Sequence, residues 1–229
     1  MSAACDSSVH PARVLVCFAL SEEAKPFRER IAAHPEVGLL VTGMGKQNAG
    51  QSLRAWLASR GQAEATAANH PKLVLTCGFA GALDSALALG EVVFSADNES
   101  GLRPKLLSTG AREVLFHCAD RIAATAAEKR ALRQTTGADA VEMESGVIRC
   151  LCREHGLPSA TVRVISDTAE EDLPLDFNLL TTADQRMDYA KLALALVKSP
   201  GKVAALLRLQ RQTRHAAERL AETLVRILG

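Results

Sequence analysis

Five carboxylates in this sequence stand where they could act on a bound molecule. The segment Ala160-Thr-Val-Arg-Val-Ile-Ser166-Asp167-Thr168 is rich in Val, Ile and Thr and reads as a buried strand that stops abruptly at Ser166-Asp167. In an open α/β sheet, ligands sit beyond the carboxyl ends of strands, so Asp167 is placed like a proton donor. The competing reading is a cap on the next helix or turn. Glu22 and Glu23 follow the apolar run 13–19 at once; they either complement a helix dipole or face the same sheet edge as Asp167. Glu142 and Glu144 flank Met143 directly after a short strand at 138–141, an arrangement unusual for a simple cap. His155, near the end of the following helix, reads as structural.

Such carboxylates need rigid elements behind them. The runs 13–19, 37–42, 72–77, 90–95 and 160–165 are short and apolar, as in central strands covered on both faces. Ser21 is placed to cap a helix containing Ala24 to Arg30. Ala49, Leu53, Trp56 and Leu57 mark an amphipathic helix, and the Gly43-Met-Gly45-Lys46 loop before it suits close approach to a ligand. That loop is neither GxGxxG nor GxxxxGK[ST], so dinucleotide and P-loop readings are weak. Gly78-Phe79-Ala-Gly81 is expected to be the loop behind the 72–77 strand. Residues 123–132 read as a helix with Glu and Lys outward, and Glu142 opens another that ends at Gly156. Residues 97–112 give no clear assignment.

Helices are expected at 184–197 and from Pro200 on. In the second, Val203, Leu206, Leu207, Ala217, Leu220, Leu224 and Leu228 fall near one stripe, with Lys202, Arg208, Arg211, Arg214, Arg219 and Arg226 elsewhere. Those cations form a solvated face, or one that meets an anionic membrane surface or a partner. The division expected is a disordered lead-in at 1–12, one domain at 13–199, and a basic helix at 200–229 packed on it or extending from it. Residues 63–69 look linker-like.

The 27 Lys and Arg against 26 Asp and Glu leave a net charge of +1, which gives no global field for nucleic acid. Six cysteines occur with no CxxC pair or metal spacing, so free buried thiols in a reducing cytoplasm are expected. The N-terminal residues lack a basic and apolar leader, and no apolar run is long enough to cross a membrane.

Several segments together resemble the nucleoside phosphorylase superfamily, especially its hydrolase branch, the methylthioadenosine/S-adenosylhomocysteine nucleosidases. They are Ala19-Leu-Ser-Glu-Glu23, Gly43-Met-Gly-Lys46, Thr76-Cys-Gly-Phe-Ala-Gly81 with Gly90-Glu-Val-Val, Val141-Glu-Met-Glu144 and Arg163-Val-Ile-Ser-Asp167. The resemblance runs from about residue 13 to 170 and implies a three-layer α/β/α sandwich with a central mixed β-sheet. It implies that Asp167 protonates purine N7, that Ser166 orients that acid, and that Glu23 orients or deprotonates the attacking water. It further implies that Glu144 binds the ribose hydroxyls over Met143. Ile122, Ala123 and Val141 would lie near the base, with Glu142, Gly78, Phe79 and Gly81 also lining the site.

No metal or organic cofactor is implied, and a cytoplasmic homodimer is. The family's phosphorylases place arginines in the first-strand loop and before the T-C-G segment. Both places lack arginine here, which favours water over phosphate as nucleophile; phosphorolysis and a non-catalytic nucleoside-binding homologue remain as alternatives. Two departures stand out: Phe79 replaces a small serine, and the segment between Ser95 and Asp120 is short. The short middle and the basic last helix resemble a subgroup associated with hopanoid lipid synthesis, which acts on adenosylhopane. The substrate expected is a purine nucleoside, a 5′-substituted adenosine.

Overall fold

Side-chain alternation decides the layers. In β1 (Val14–Phe18), Val16 and Phe18 pack into one cluster while Leu15 and Cys17 pack into another. Successive strand residues point to opposite faces, and a strand apolar on both must be covered on both. The computed structural model describes residues 13–32, 34–61, 71–180, 182, 191 and 200–229.

After β1 come α1 (Ser21–Arg30), β2 (Val37–Val41), α2 (Gly45–Gly61), β3 (Leu73–Ala82), β4 (Val92–Ala96) and α3 (Arg103–Ser108). There follow β5 (Arg112–Glu113), β6 (Phe116–Cys118), α4 (Ala126–Thr136), β7 (Ala140–Glu142), α5 (Ser145–Glu154), β8 (Ser159–Asp167) and α6 (Val203–Leu228). The eight strands form one mixed sheet in the order β2-β1-β3-β8-β4-β5, with β7 pairing β3 and β6 pairing β7. The β1, β2, β3 and β8 ladders are parallel; β4 runs antiparallel to β8, and β7 antiparallel to β3.

Helices α1, α3 and α6 cover one face, where Phe27, Leu106, Leu220 and Leu224 meet Val16, Leu75, Phe94 and Val162. Helices α2 and α5 cover the other through Leu53, Leu57, Ile148 and Leu151. The expected three-layer sandwich is thus the one observed.

Several boundaries differ from the sequence reading. β3 continues through Gly78-Phe79-Ala80-Gly81, which is strand and not loop, because β8 and β7 supply partners on either side of that stretch. Leu20, rather than Ser21, precedes α1, and the Glu23 side chain accepts from the Leu20 N–H at 3.0 Å. α4 starts at Ala126, where Thr125 and Glu128 form a capping box. α5 starts at Ser145, so Glu142 closes a strand and Glu144 stands at the junction. Residues 97–112 hold a 3-10 turn at Asn98–Ser100 and the short α3.

Only the second half of the apolar stripe on α6 is covered. Residues from Ala216 on pack against the sheet, whereas Val203 and Leu207 are exposed beside Arg208 and Arg211. The free cysteines include Cys17, Cys77 and Cys152 in the core, with Cys118 half-buried and Cys150 exposed. The expectations for 1–12, 63–69 and 184–197 fall outside the described residues, save Lys191. No described helix is long and apolar enough to cross a membrane.

Leu224 anchors α6 to the sheet with no exposed surface. The replacement Leu224→Ala is expected to cost about 2–5 kcal/mol. The urea unfolding midpoint should fall while the slope stays unchanged.

Candidate active site

A single arginine in the middle of an apolar strand organises the site. Arg163 on β8 is 1% exposed, and a guanidinium removed from water needs partners on its donors. Its Nη2 donates to Glu142 Oε2 at 2.7 Å and to Glu144 Oε2 at 3.0 Å. Glu142 is spent on this framework. Its oxygens also accept from the Glu144 N–H and from the Ser145 N–H and hydroxyl, which locks the β7–α5 junction. Burial would raise the Glu142 carboxyl, but Arg163 and these hydrogen bonds outweigh burial and hold it below its usual range. Glu142, expected among the residues lining the site, has its oxygens occupied by Arg163, Ser145 and the Glu144 peptide.

Glu144 is held at both oxygens, by Arg163 and by the Gly45 N–H at 2.8 Å from the start of α2. Burial pushes its proton affinity up, and the charge of Glu142 adds to this against the pull of Arg163. Glu23 approaches from α1. Its carboxylate accepts from the Phe79 N–H at 3.0 Å and from the Leu20 N–H. Burial, only partly offset by Arg163, lifts its pKa from 4.5 to about 7.

Gly78 makes this meeting possible. It has φ +138°, and a Cβ there would stand 2.8 Å from both Arg163 Nη1 and Glu23 Oε1. Phe79 enters the site mainly through its peptide; its ring packs against the cluster beneath α1 and α6.

Asp167 lies four residues beyond Arg163, roughly 13 Å along an ideal strand. The β3–β8 register shifts between Ala80 and Gly81, so Gly81 pairs with Asp167. Such a bulge re-aims a side chain near a functional edge. The Ser166 hydroxyl donates to Asp167 Oδ1 at 2.7 Å, and the Lys129 ammonium lies 2.6 Å from Oδ2. Gly81 leaves room here, since a Cβ would come 3.0 Å from Oδ2. Val141 and Ala123 share an apolar cluster on this side, and Met143 is half-buried beside Glu144. Ile122 is tied through its own peptide: its N–H donates to Asn178 Oδ1 and its carbonyl accepts from Asn178 Nδ2, both at 2.9 Å.

The structure thus brings Glu23 and Glu144 together on Arg163 and sets Asp167 and Ser166 further along the same strand. Two residues escaped the sequence reading. Arg163 carried a signal, because a charge inside a buried apolar run requires charged partners elsewhere. Lys129 carried none; it was read as outward on its helix and is wholly buried. Among the described residues no cluster of His, Cys, Asp and Glu could hold a metal ion.

This combination of mixed sheet and flanking helices has counterparts among solved structures. The phosphorylase superfamily model matches residues 110–198. The chain superposes on the 5′-methylthioadenosine/S-adenosylhomocysteine nucleosidase of Helicobacter pylori with TM-score 0.67 and 15% identity, covering 94% of this chain and 97% of that one. The Neisseria meningitidis nucleosidase gives 0.66 and 18%, covering 95% and 98%. Futalosine hydrolase of H. pylori gives 0.66 and 14%, covering 95% and 97%. The resemblance to the nucleoside phosphorylase superfamily, and the fold it implied, are borne out.

Gly78→Ala places a methyl group between Glu23 and Arg163 at a strained φ. Backbone strain of this kind costs about 1–3 kcal/mol. Thermal unfolding should register the loss, and any activity that depends on Glu23 should fall further than stability does.

Proposed function

We propose that the protein hydrolyses the N-glycosidic bond of a purine nucleoside, a 5′-substituted adenosine, and releases the base. The observation that carries this reading is the spacing on β8. Two carboxylates are gathered by Arg163, and a third carboxyl group stands four residues further along at the strand's bulged end. In the reaction, the C1′–N9 electron pair passes into the purine as Asp167 protonates N7. Glu144 holds the ribose hydroxyls, and its negative charge favours the oxocarbenium ion. Glu23 takes the proton of the water that adds to C1′.

Electrostatics support water as the nucleophile. Glu23, Glu142 and Glu144 share one guanidinium, and a phosphate dianion beside them would meet net negative charge. The neighbours of similar fold act as nucleosidases and a futalosine hydrolase by name, in keeping with hydrolysis. By the family resemblance the protein works as a homodimer. The exposed first turns of α6, with Val203 and Leu207 beside Arg208 and Arg211, suit weak contact with an anionic membrane.

Free adenine released from 5′-methylthioadenosine, with and without phosphate, tests the reading. Release should not depend on phosphate. Asp167→Asn and Glu23→Gln should each lower kcat about 10²–10⁴-fold while ligand binding persists. Absence of any base release from a panel of purine nucleosides would refute the proposal.

Glu23 must be ionised to accept a proton, so kcat/KM should rise with pH until about 7 and then level off. Glu23→Gln should abolish that limb. The linked effect on stability has the opposite sign. Between 4.5 and about 7 the folded state holds the Glu23 proton that the unfolded state has lost, so the contribution of this group declines as pH rises through that window.

A further inference from the structure

The reaction above leaves Lys129 without a task, although it is among the least natural side chains to bury. It lies on α4 with its side chain 0% exposed, while its neighbour Arg130 faces solvent. The Thr125–Glu128 capping box fixes where α4 begins and so which residue turns inward. The ammonium carries three N–H bonds, and three oxygens receive them: Asp167 Oδ2 at 2.6 Å, the Thr168 carbonyl at 2.6 Å and the Glu171 carbonyl at 2.9 Å. Packing alone would be served by Leu or Met, without the several kcal/mol of desolvation that a buried ammonium carries.

We propose that Lys129 is the positioning residue of Asp167 and the reserve of the proton that Asp167 hands to the departing base. The proposal rests on the general-acid reading of Asp167. In the ion pair the proton resides on nitrogen. As the C1′–N9 bond breaks and its electron pair enters the ring, a proton moves from an Asp167 oxygen to N7. Asp167 receives that proton from Lys129 Nζ in the same step, so it ends as a carboxylate and Lys129 as a neutral amine.

The neutral amine that remains keeps two N–H bonds for the Thr168 and Glu171 carbonyls, and the Asp167 carboxylate keeps the hydrogen bond that Ser166 donates. Water adds to C1′ and gives its proton to Glu23. Exchange with solvent then removes one proton from Glu23 and returns one to Lys129. No further reactant is required. Ser166 fixes the other oxygen of Asp167, so the carboxyl group is held in one plane from both sides.

The test compares two substrates in the full-length protein: 5′-methylthioadenosine, whose base needs protonation, and 4-nitrophenyl β-D-ribofuranoside, whose phenolate leaves without it. Lys129→Met should lower kcat on the nucleoside about 10²–10⁴-fold, the range of a lost general acid, and lower it far less on the nitrophenyl riboside. Lys129→Arg keeps the charge and the ion pair but cannot release a proton. It should therefore fail to rescue nucleoside cleavage.

Equal losses on both substrates, full rescue by arginine, or no loss at all would each overturn the proposal. A measurement on the unmodified protein guards against variants that do not fold. In mixtures of light and heavy water, the nucleoside rate should curve with deuterium fraction because two protons move together, and a straight line would overturn the relay. If the unmodified protein releases no base from any purine nucleoside but cleaves the nitrophenyl riboside, the acid reading of Asp167 is what has failed, and this proposal falls with it.

Discussion

The structure depends on one guanidinium taken fully out of water. Arg163 sits at the centre of β8 between β3 and β4, with no solvent to stabilise it, and its charge is met by Glu142 and Glu144 and felt by Glu23. Removing any one partner of such a cluster leaves an uncompensated charge, so the elements carrying them are bound to one another. β7 must end where Glu142 can reach, α5 must begin just after Glu144, and α1 must present Glu23 across the gap left by Gly78. The same constraint keeps a polar cluster inside an otherwise aliphatic sheet.

The two ends of the site differ for a physical reason. Around Arg163 each carboxylate has fixed partners and almost no solvent, which suits orientation of hydroxyls and water. At Asp167 the strand bulges, the sheet opens, and one carboxyl group is met by a hydroxyl on one oxygen and an ammonium on the other. One strand therefore carries two different polar centres, Arg163 and Asp167, separated by three residues of backbone.

Much of this was legible in the residues. Apolar runs separated by helical patterns defined the sandwich, because a strand buried on both faces can hardly be written otherwise. Glu23, Glu144 and Asp167 were legible because each follows such a run directly. The extension of β3 through Gly78-Phe79-Ala80-Gly81 was not, since two glycines ordinarily signal a loop and only the pairing with β8 and β7 makes this stretch a strand. Lys129 was hidden for a related reason. In an Ala-rich helix with charges on most sides, the inward face is set by where the cap falls, and the carboxylate it meets lies 38 residues further along the chain.

The segment following Asp167 is fastened along the one preceding and opening α4. The Leu173 N–H reaches the Ala124 carbonyl, Asp172 accepts from the Ala126 N–H, and the Asn178 amide grips the Ile122 peptide. Lys129 ties the first turn of that strap, through the Thr168 and Glu171 carbonyls, to the carboxyl group itself. Lifting the turn must therefore either strip the ammonium of its acceptors or drag it away from Asp167. The fastening of this segment and the pairing of Asp167 thus share one nitrogen atom, so the two cannot be undone separately.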